Sequence, residues 1–229
     1  SWSDEFPFIE LASQKPQKND HTSLDMDSDG VWDKIEPKLG LNNKTADTDN
    51  DGLSDGNELY EFMTDPLVKD SDNDGLTDAY EVAKWYSWGL DPLADYDHDG
   101  LPCILDPDSD NDGIGDKNEF FGLPYDPYWK KNIITNPSLR DTDFDGLTDL
   151  EEFGSVNQGA RELPHTNPAD KDSDDDGILD GRELNYFVEN SIDAFSDADG
   201  DQKPNILDPD SDNDLLLDGE ELKYDTNLI

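Results

Sequence analysis

Aspartate recurs at every second residue in nine short stretches of this 229-residue chain, and each stretch continues through a fixed series of turn, apolar and acidic positions. The full pattern, D-x-D-x-D-G-[LIV]-x-D-x-x-E, begins at Asp25, Asp47, Asp70, Asp108, Asp141 and Asp172. Three variants keep the first three acids: DYDHDGLPCILD from Asp95, DADGDQKPNILD from Asp197 and DSDNDLLLDGEE from Asp210. Chance would give on the order of 0.002 full copies in a chain of this composition, so six copies are a repeat.

Carboxylates at this spacing suit a hard divalent cation of calcium's size, which takes six to eight oxygen ligands in a flexible shell. With the stretch numbered 1 to 12, side chains at 1, 3 and 5 turn inward, Gly at 6 permits a sharp turn, the carbonyl of 7 adds a ligand, and 9 and 12 complete the set. The candidate ligands of the full copies are therefore Asp25, Asp27, Asp29, Val31, Asp33 and Glu36; Asp47, Asp49, Asp51, Leu53, Asp55 and Glu58; Asp70, Asp72, Asp74, Leu76, Asp78 and Glu81; Asp108, Asp110, Asp112, Ile114, Asp116 and Glu119; Asp141, Asp143, Asp145, Leu147, Asp149 and Glu152; and Asp172, Asp174, Asp176, Ile178, Asp180 and Glu183. The variants offer Asp95, Asp97, Asp99, Leu101 and Asp106; Asp197, Asp199, Asp201, Lys203 and Asp208; and Asp210, Asp212, Asp214, Leu216, Asp218 and Glu221. Each set is assigned to one ion, giving about seven to nine Ca2+ in all. The loops from Asp197 and Asp210 lack Gly at position 6, so Gln202 and Leu215 must adopt positive φ at a cost on the order of 1 kcal/mol, or those loops relax differently. Cys103 takes position 9 of its loop, where a thiol is a poor ligand for a hard ion.

Composition agrees with this chemistry. Asp and Glu number 59 against 16 Lys and Arg, and the net charge of −43 disfavours nucleic acid and anionic lipid as direct partners without a bridging cation. Only 32% of residues are apolar, too few for a conventional core, and the single cysteine excludes an intrachain disulfide scaffold. No apolar stretch of 18 residues exists to insert into a membrane. The candidate ligands account for 43 of the 59 acids, and nine dications would take the charge to −25, so folding is expected to depend on metal. No His or Cys cluster favours zinc; His21, His98 and His165 are scattered.

The loop starts reveal an internal duplication. Asp70, Asp95 and Asp108 step by 25 and 13, as do Asp172, Asp197 and Asp210, and LPCILDPDSDND at 101–112 matches KPNILDPDSDND at 203–214. The chain is accordingly divided into an N-terminal segment 1–24, a first loop and spacer 25–46, a four-loop cassette 47–140 and a second one 141–229. Spacers contain the turn groups Thr64-Asp65-Pro66, Thr135-Asn136-Pro137 and Thr166-Asn167-Pro168. Thr226-Asn227 begins another such spacer, so further repeats or another domain are expected beyond it.

The loops satisfy the EF-hand expression, but the segments preceding them are too short for an entering helix and the apolar residue sits at 7, not 8. Tandem D-G-L-x-D-x-x-E cores, Thr-Asp-Pro spacers and abutting L-D-P-D-S-D-N-D pairs over about 25–229 instead resemble the thrombospondin type 3 repeat in its microbial form. The resemblance implies a mostly irregular fold of tandem calcium-binding loops without a large sheet. It also implies an extracellular or cell-surface scaffold, stalk or lattice role, in a bacterial or archaeal envelope because the paired cysteines of the animal repeats are missing. Partners on this reading are calcium, other domains of a longer surface protein, neighbouring copies or glycans.

A few short α-helices are expected after the loops, with position 9 as N-cap and Glu at 12 as N3: Gly56 to Met63, Ala79 to Trp88 and Gly181 to Glu189. The aromatic groups Trp85-Tyr86-Ser87-Trp88, Phe120-Phe121 and Tyr125 to Trp129 read as small satellite cores, with a glycan or partner surface as the alternative. No G-x-S-x-G, H-E-x-x-H or Walker motif is present, so an enzyme is not expected.

Overall fold

The computed structural model describes residues 24–122, 132–153, 166–224 and 228–229. Residues 1–23 of the N-terminal segment, the Tyr125 to Trp129 group, His21, His165 and Thr226-Asn227 lie outside these. Contacts divide the chain into two compact units, Ser1–Ser109 and Asp110–Ile229, with the division falling inside the loop that begins at Asp108.

Each loop is a backbone turn wound around its own acids. Non-glycine residues at position 4 take φ between 56° and 67°: Ser28, Asn50, Asn73, His98, Asn111, Phe144, Asp175 and Asn213. Position 6 is left-handed as well, at Gly30, Gly52, Gly75, Gly100, Gly113, Gly146 and Gly177. Gln202 and Leu215, which replace that glycine, accept the same region with φ of 82° and 80°, so these loops keep the common path. The N–H of position 9 then closes the loop on the carbonyl preceding it, as in Asp55 to Ala46 (2.9 Å), Asp149 to Arg140 (2.9 Å) and Asp180 to Lys171 (3.1 Å).

A short helix follows most loops: α1 Glu36–Leu39, α2 Asp55–Asn57, α3 Asp78–Ser87, α4 Asp116–Phe121, α5 Asp149–Phe153, α6 Asp180–Glu189 and α7 Asp218–Tyr224. There is no strand among the described residues. The helices expected after Asp78 and Asp180 are present, whereas the one expected over Gly56 to Met63 is only the turn α2 followed by a π-helical turn, Glu58–Phe62. The cap lies one residue earlier than the sequence suggests. Ser54 and Thr77, at position 8, accept from the N–H groups of Asn57 and Tyr80, and Thr148 and Glu151 exchange hydrogen bonds as a capping box. Position 9 is already the first helical residue because its carboxylate is held elsewhere.

Cores are small and separate, as the low apolar fraction requires. In the first unit Val31, Ile35, Leu39, Leu41 and Leu59 form one, and Leu53, Phe62, Ile104 and Leu105 another. In the second unit Ile178, Phe187, Ala194, Ile206, Leu207 and Leu228 pack together. Position 7 thus sends its side chain into a core at Val31, Leu53 and Ile178, which anchors one side of the loop.

Candidate metal centres

Backbone N–H groups hold the acids in place while leaving oxygens over. Asp47 accepts from Asn50 (2.6 Å) with one oxygen and from Gly52 (3.1 Å) with the other; Asp141 does the same with Phe144 and Gly146. At position 3, Asp49 accepts from Asp51, and at position 5, Asp51 accepts from Leu53. The second oxygen of the position-3 acid receives no donor at Asp49, Asp143 or Asp174. The ligand atoms so oriented converge: Asp25, Asp27 and Asp29 each offer an oxygen within 4.8 Å of the other two, as do Asp47, Asp49 and Asp51; Asp70, Asp72 and Asp74; and Asp95, Asp97 and Asp99.

In the first loop position 12 stays with an acid of its own loop, Glu36 with Asp29, but position 9 of the next loop, expected on the ion of its own set, joins them. Asp55, position 9 of the second loop, gathers with Asp29 and Glu36, positions 5 and 12 of the first. All three lie within the same 4.8 Å limit, and Asp55 and Glu36 are fully buried. The reason is the way loops stack. The N–H of position 10 in one loop reaches the position-5 carboxylate of the preceding one, as in Ala79 to Asp51 (2.8 Å) and Gly181 to Asp145 (2.6 Å). Position 9 is thereby delivered to its neighbour's acids. The same neighbours act electrostatically elsewhere: Asp78 on Glu58, Asp180 on Glu152 and Asp218 on Glu183.

Hydroxyl groups orient these two acids. Thr48 donates through its backbone N–H (2.7 Å) and its hydroxyl (2.7 Å) to the two oxygens of Asp55, and Ser71, Thr142 and Ser173 at position 2 do so for Asp78, Asp149 and Asp180. The same hydroxyl oxygen accepts from the spacer, Asp65 to Ser71 (2.9 Å), Asn136 to Thr142 (2.8 Å) and Asn167 to Ser173 (2.8 Å). The spacer threonine turns the other way, and Thr135 donates to Glu119 at 3.0 Å. The Thr-[Asp/Asn]-Pro group, read from sequence as a turn, is therefore a bridge from position 12 of one loop to position 9 of the next. Ser or Thr at position 2 of the second, third, fifth, sixth, seventh and ninth loops was the signal for it.

Burial and mutual repulsion make charge on the metal-free clusters costly. Burial pushes the carboxyls of Glu58 up to about 9 and of Glu119, Glu152 and Glu183 up to about 10, with the neighbouring aspartates adding to each. Glu36 rises to about 7 and Asp174 to about 8 for the same two reasons. Both oxygens of Glu36, Glu183 and Asp27 are buried with no donor, a state that costs several kcal/mol for an isolated charge. Such a set of oxygens fits a hard dication.

The variant loops depart in detail. Cys103 at position 9 is buried and donates to the carbonyl of Ala94. Its counterpart Asn205 accepts from Ala198 (3.0 Å) and donates to the carbonyl of Asp193 (3.2 Å). Lys203, whose carbonyl was the expected ligand, places its ammonium 3.3 Å from Asp208 and 3.9 Å from Asp201. Asp197, Asp201, Asp212 and Asp214 are exposed, unlike the acids at positions 1, 3 and 5 of the loops from Asp25 and Asp47.

No curated protein matches the chain in sequence. A family model does, the bacterial thrombospondin type 3 repeat, over residues 47–69 and 70–84, which hold the second and third loops with their spacer. Acidic clusters are built on both loops, and residues 47–84 match the bacterial thrombospondin type 3 repeat.

Proposed function

We propose that the chain is a non-enzymatic, extracellular calcium-binding structural module, a stalk, spacer or surface-lattice component whose order and rigidity depend on bound ions. The observation that carries this reading is the convergence of buried carboxylates: both oxygens of Glu36 and one of Asp29 lack a donor, and they gather with Asp55, which Thr48 holds in place. Positions 1, 3 and 5 of each loop other than the one from Asp197 hold one ion. Where Glu at 12 meets position 9 of the following loop, a second position arises, so the seven to nine ions expected from one per loop are a minimum.

Calcium is favoured over magnesium because the acids are many and the loops are held by adaptable turns, whereas magnesium demands a tight octahedron and keeps its water. Calcium modules outside cells work at about 10⁻⁴ to 10⁻³ M, a range that supports the extracellular assignment. The alternative role, a glycan surface on the aromatic spacers, is disfavoured at Trp85, which is fully buried and stacked on Tyr96 at 6.1 Å. Scattering and limited proteolysis in calcium and in chelator test the proposal. Compaction and protease resistance that appear only with calcium are expected; equal compactness in chelator contradicts it.

A further inference from the structure

The loop Asp197–Asp208 differs from the others in what faces its acids. Position 7 is Lys203, where every other loop carries an aliphatic residue. Its ammonium donates to Asp208 at 3.3 Å and stands 3.9 Å from Asp201. Those are positions 12 and 5, the pair that Glu36 and Asp29 form in the first loop. Glu36 has no donor on either oxygen. Asp208, equally enclosed, accepts from Lys203 and from the N–H of Asp210 (3.3 Å), and no buried carboxylate oxygen of this loop lacks a donor.

The remaining positions follow the same trend. Asp199, at position 3, accepts from the amide of Asn213 at 2.8 Å. Position 9 is Asn205, a neutral residue whose amide is engaged with Ala198, Asp193 and Ser196. Protein donors thus stand where the first loop presents bare oxygens at Asp27, Asp29 and Glu36. In the duplicated counterpart, the loop from Asp95, position 7 is Leu101 and the pair Asp99 and Asp106 has no lysine in its loop.

We infer that the Lys203 ammonium takes the place of the cation between positions 5 and 12, making Asp197–Asp208 a metal-independent staple inside an array otherwise built on calcium. The inference rests on the calcium reading proposed above. An ammonium tethered to the chain cannot be removed by a chelator, so this loop keeps its closure when the others lose theirs.

Calcium bound at saturation, counted by equilibrium dialysis on the whole chain and on Lys203→Leu and Lys203→Met, tests it. Each variant is expected to bind one ion more than the unaltered chain, because the freed carboxylate pair then matches that of the other loops. An unchanged count in both variants overturns the inference while leaving the calcium reading intact; an unaltered chain that binds no calcium removes both. Hydrogen exchange on the unaltered chain in chelator gives a second readout that needs no variant. The amides of Asn205 and Asp210 should stay protected longer than those of Gly52 and Asp55, and equal loss of protection overturns the inference.

Discussion

The N–H of Gly181, at the start of α6, donates to the carboxylate of Asp145 across 36 residues at 2.6 Å. A Cβ built on Gly181 would lie 2.7 Å from the carbonyl oxygen of Asp145, so one loop rests on the backbone of the loop before it. Gly56 and Gly219 meet Asp29 and Asp176 more closely still. Ala substitution at Gly181 or Gly56 should therefore separate two loops and weaken the acid cluster between them. The expected loss is about 1–3 kcal/mol in saturating calcium, read by thermal unfolding. A midpoint unchanged in both variants contradicts this stacking.

Thr135 tests the hydroxyl bridge. Its donation to Glu119 fixes one oxygen of a buried acid, and a hydrogen bond to a charged group is worth about 1.5–3 kcal/mol. Thr135→Val keeps the shape and removes the donor, and should weaken one class of calcium site roughly tenfold with little change in ion count. Titration calorimetry giving the same affinity for variant and parent would show that the hydroxyl serves only the turn.

Phe144 occupies the left-handed position 4 of its loop, where most counterparts are Asn, Ser, Asp or Gly, and its side chain is 69% exposed. It makes no core to justify the strain. Phe144→Asn should stabilise the calcium-bound chain by about 0.5–1 kcal/mol. A lower unfolding midpoint for the variant would instead give the ring a packing role.

Acidity offers a further test. Glu58, Glu119, Glu152 and Glu183 titrate in the metal-free fold at about 9 to 10, well above the ordinary glutamate value of 4.5. A raised folded-state pKa means that the fold holds protons the unfolded chain has lost, so the stability of the metal-free fold falls as pH rises from about 4.5 through 10. In chelator, helical circular dichroism should be stronger near pH 5 than near pH 8.5, and calcium should restore it at the higher pH. A metal-free chain more ordered at pH 8.5 than at pH 5 would run against this account.

What the sequence disclosed and what it withheld divide along a physical line. The acids at positions 1, 3 and 5 converge within a single turn, so their grouping follows from local spacing, as at Asp47, Asp49 and Asp51. Asp55 was also legible as an acid aimed inward, but its pairing with Glu36 depends on how a second loop seats on the first, which no local pattern specifies. The one-residue shift of the helix caps is local by contrast: Asp78 is held by Ser71 of its own loop and leaves Thr77 to cap α3. Lys203 was read for its carbonyl because position 7 usually faces a core with its side chain; charge at that position was the overlooked signal. The run of Asn and Ser at position 4 likewise encoded left-handed turns in plain view.

A calcium-bound crystal structure with an anomalous difference map measures the central claim directly. It should place one ion among Asp25, Asp27 and Asp29 and another within about 2.3–2.6 Å of oxygens from Asp29, Glu36 and Asp55. Calcium found elsewhere while Asp29, Glu36 and Asp55 hold only water or one another would contradict the account.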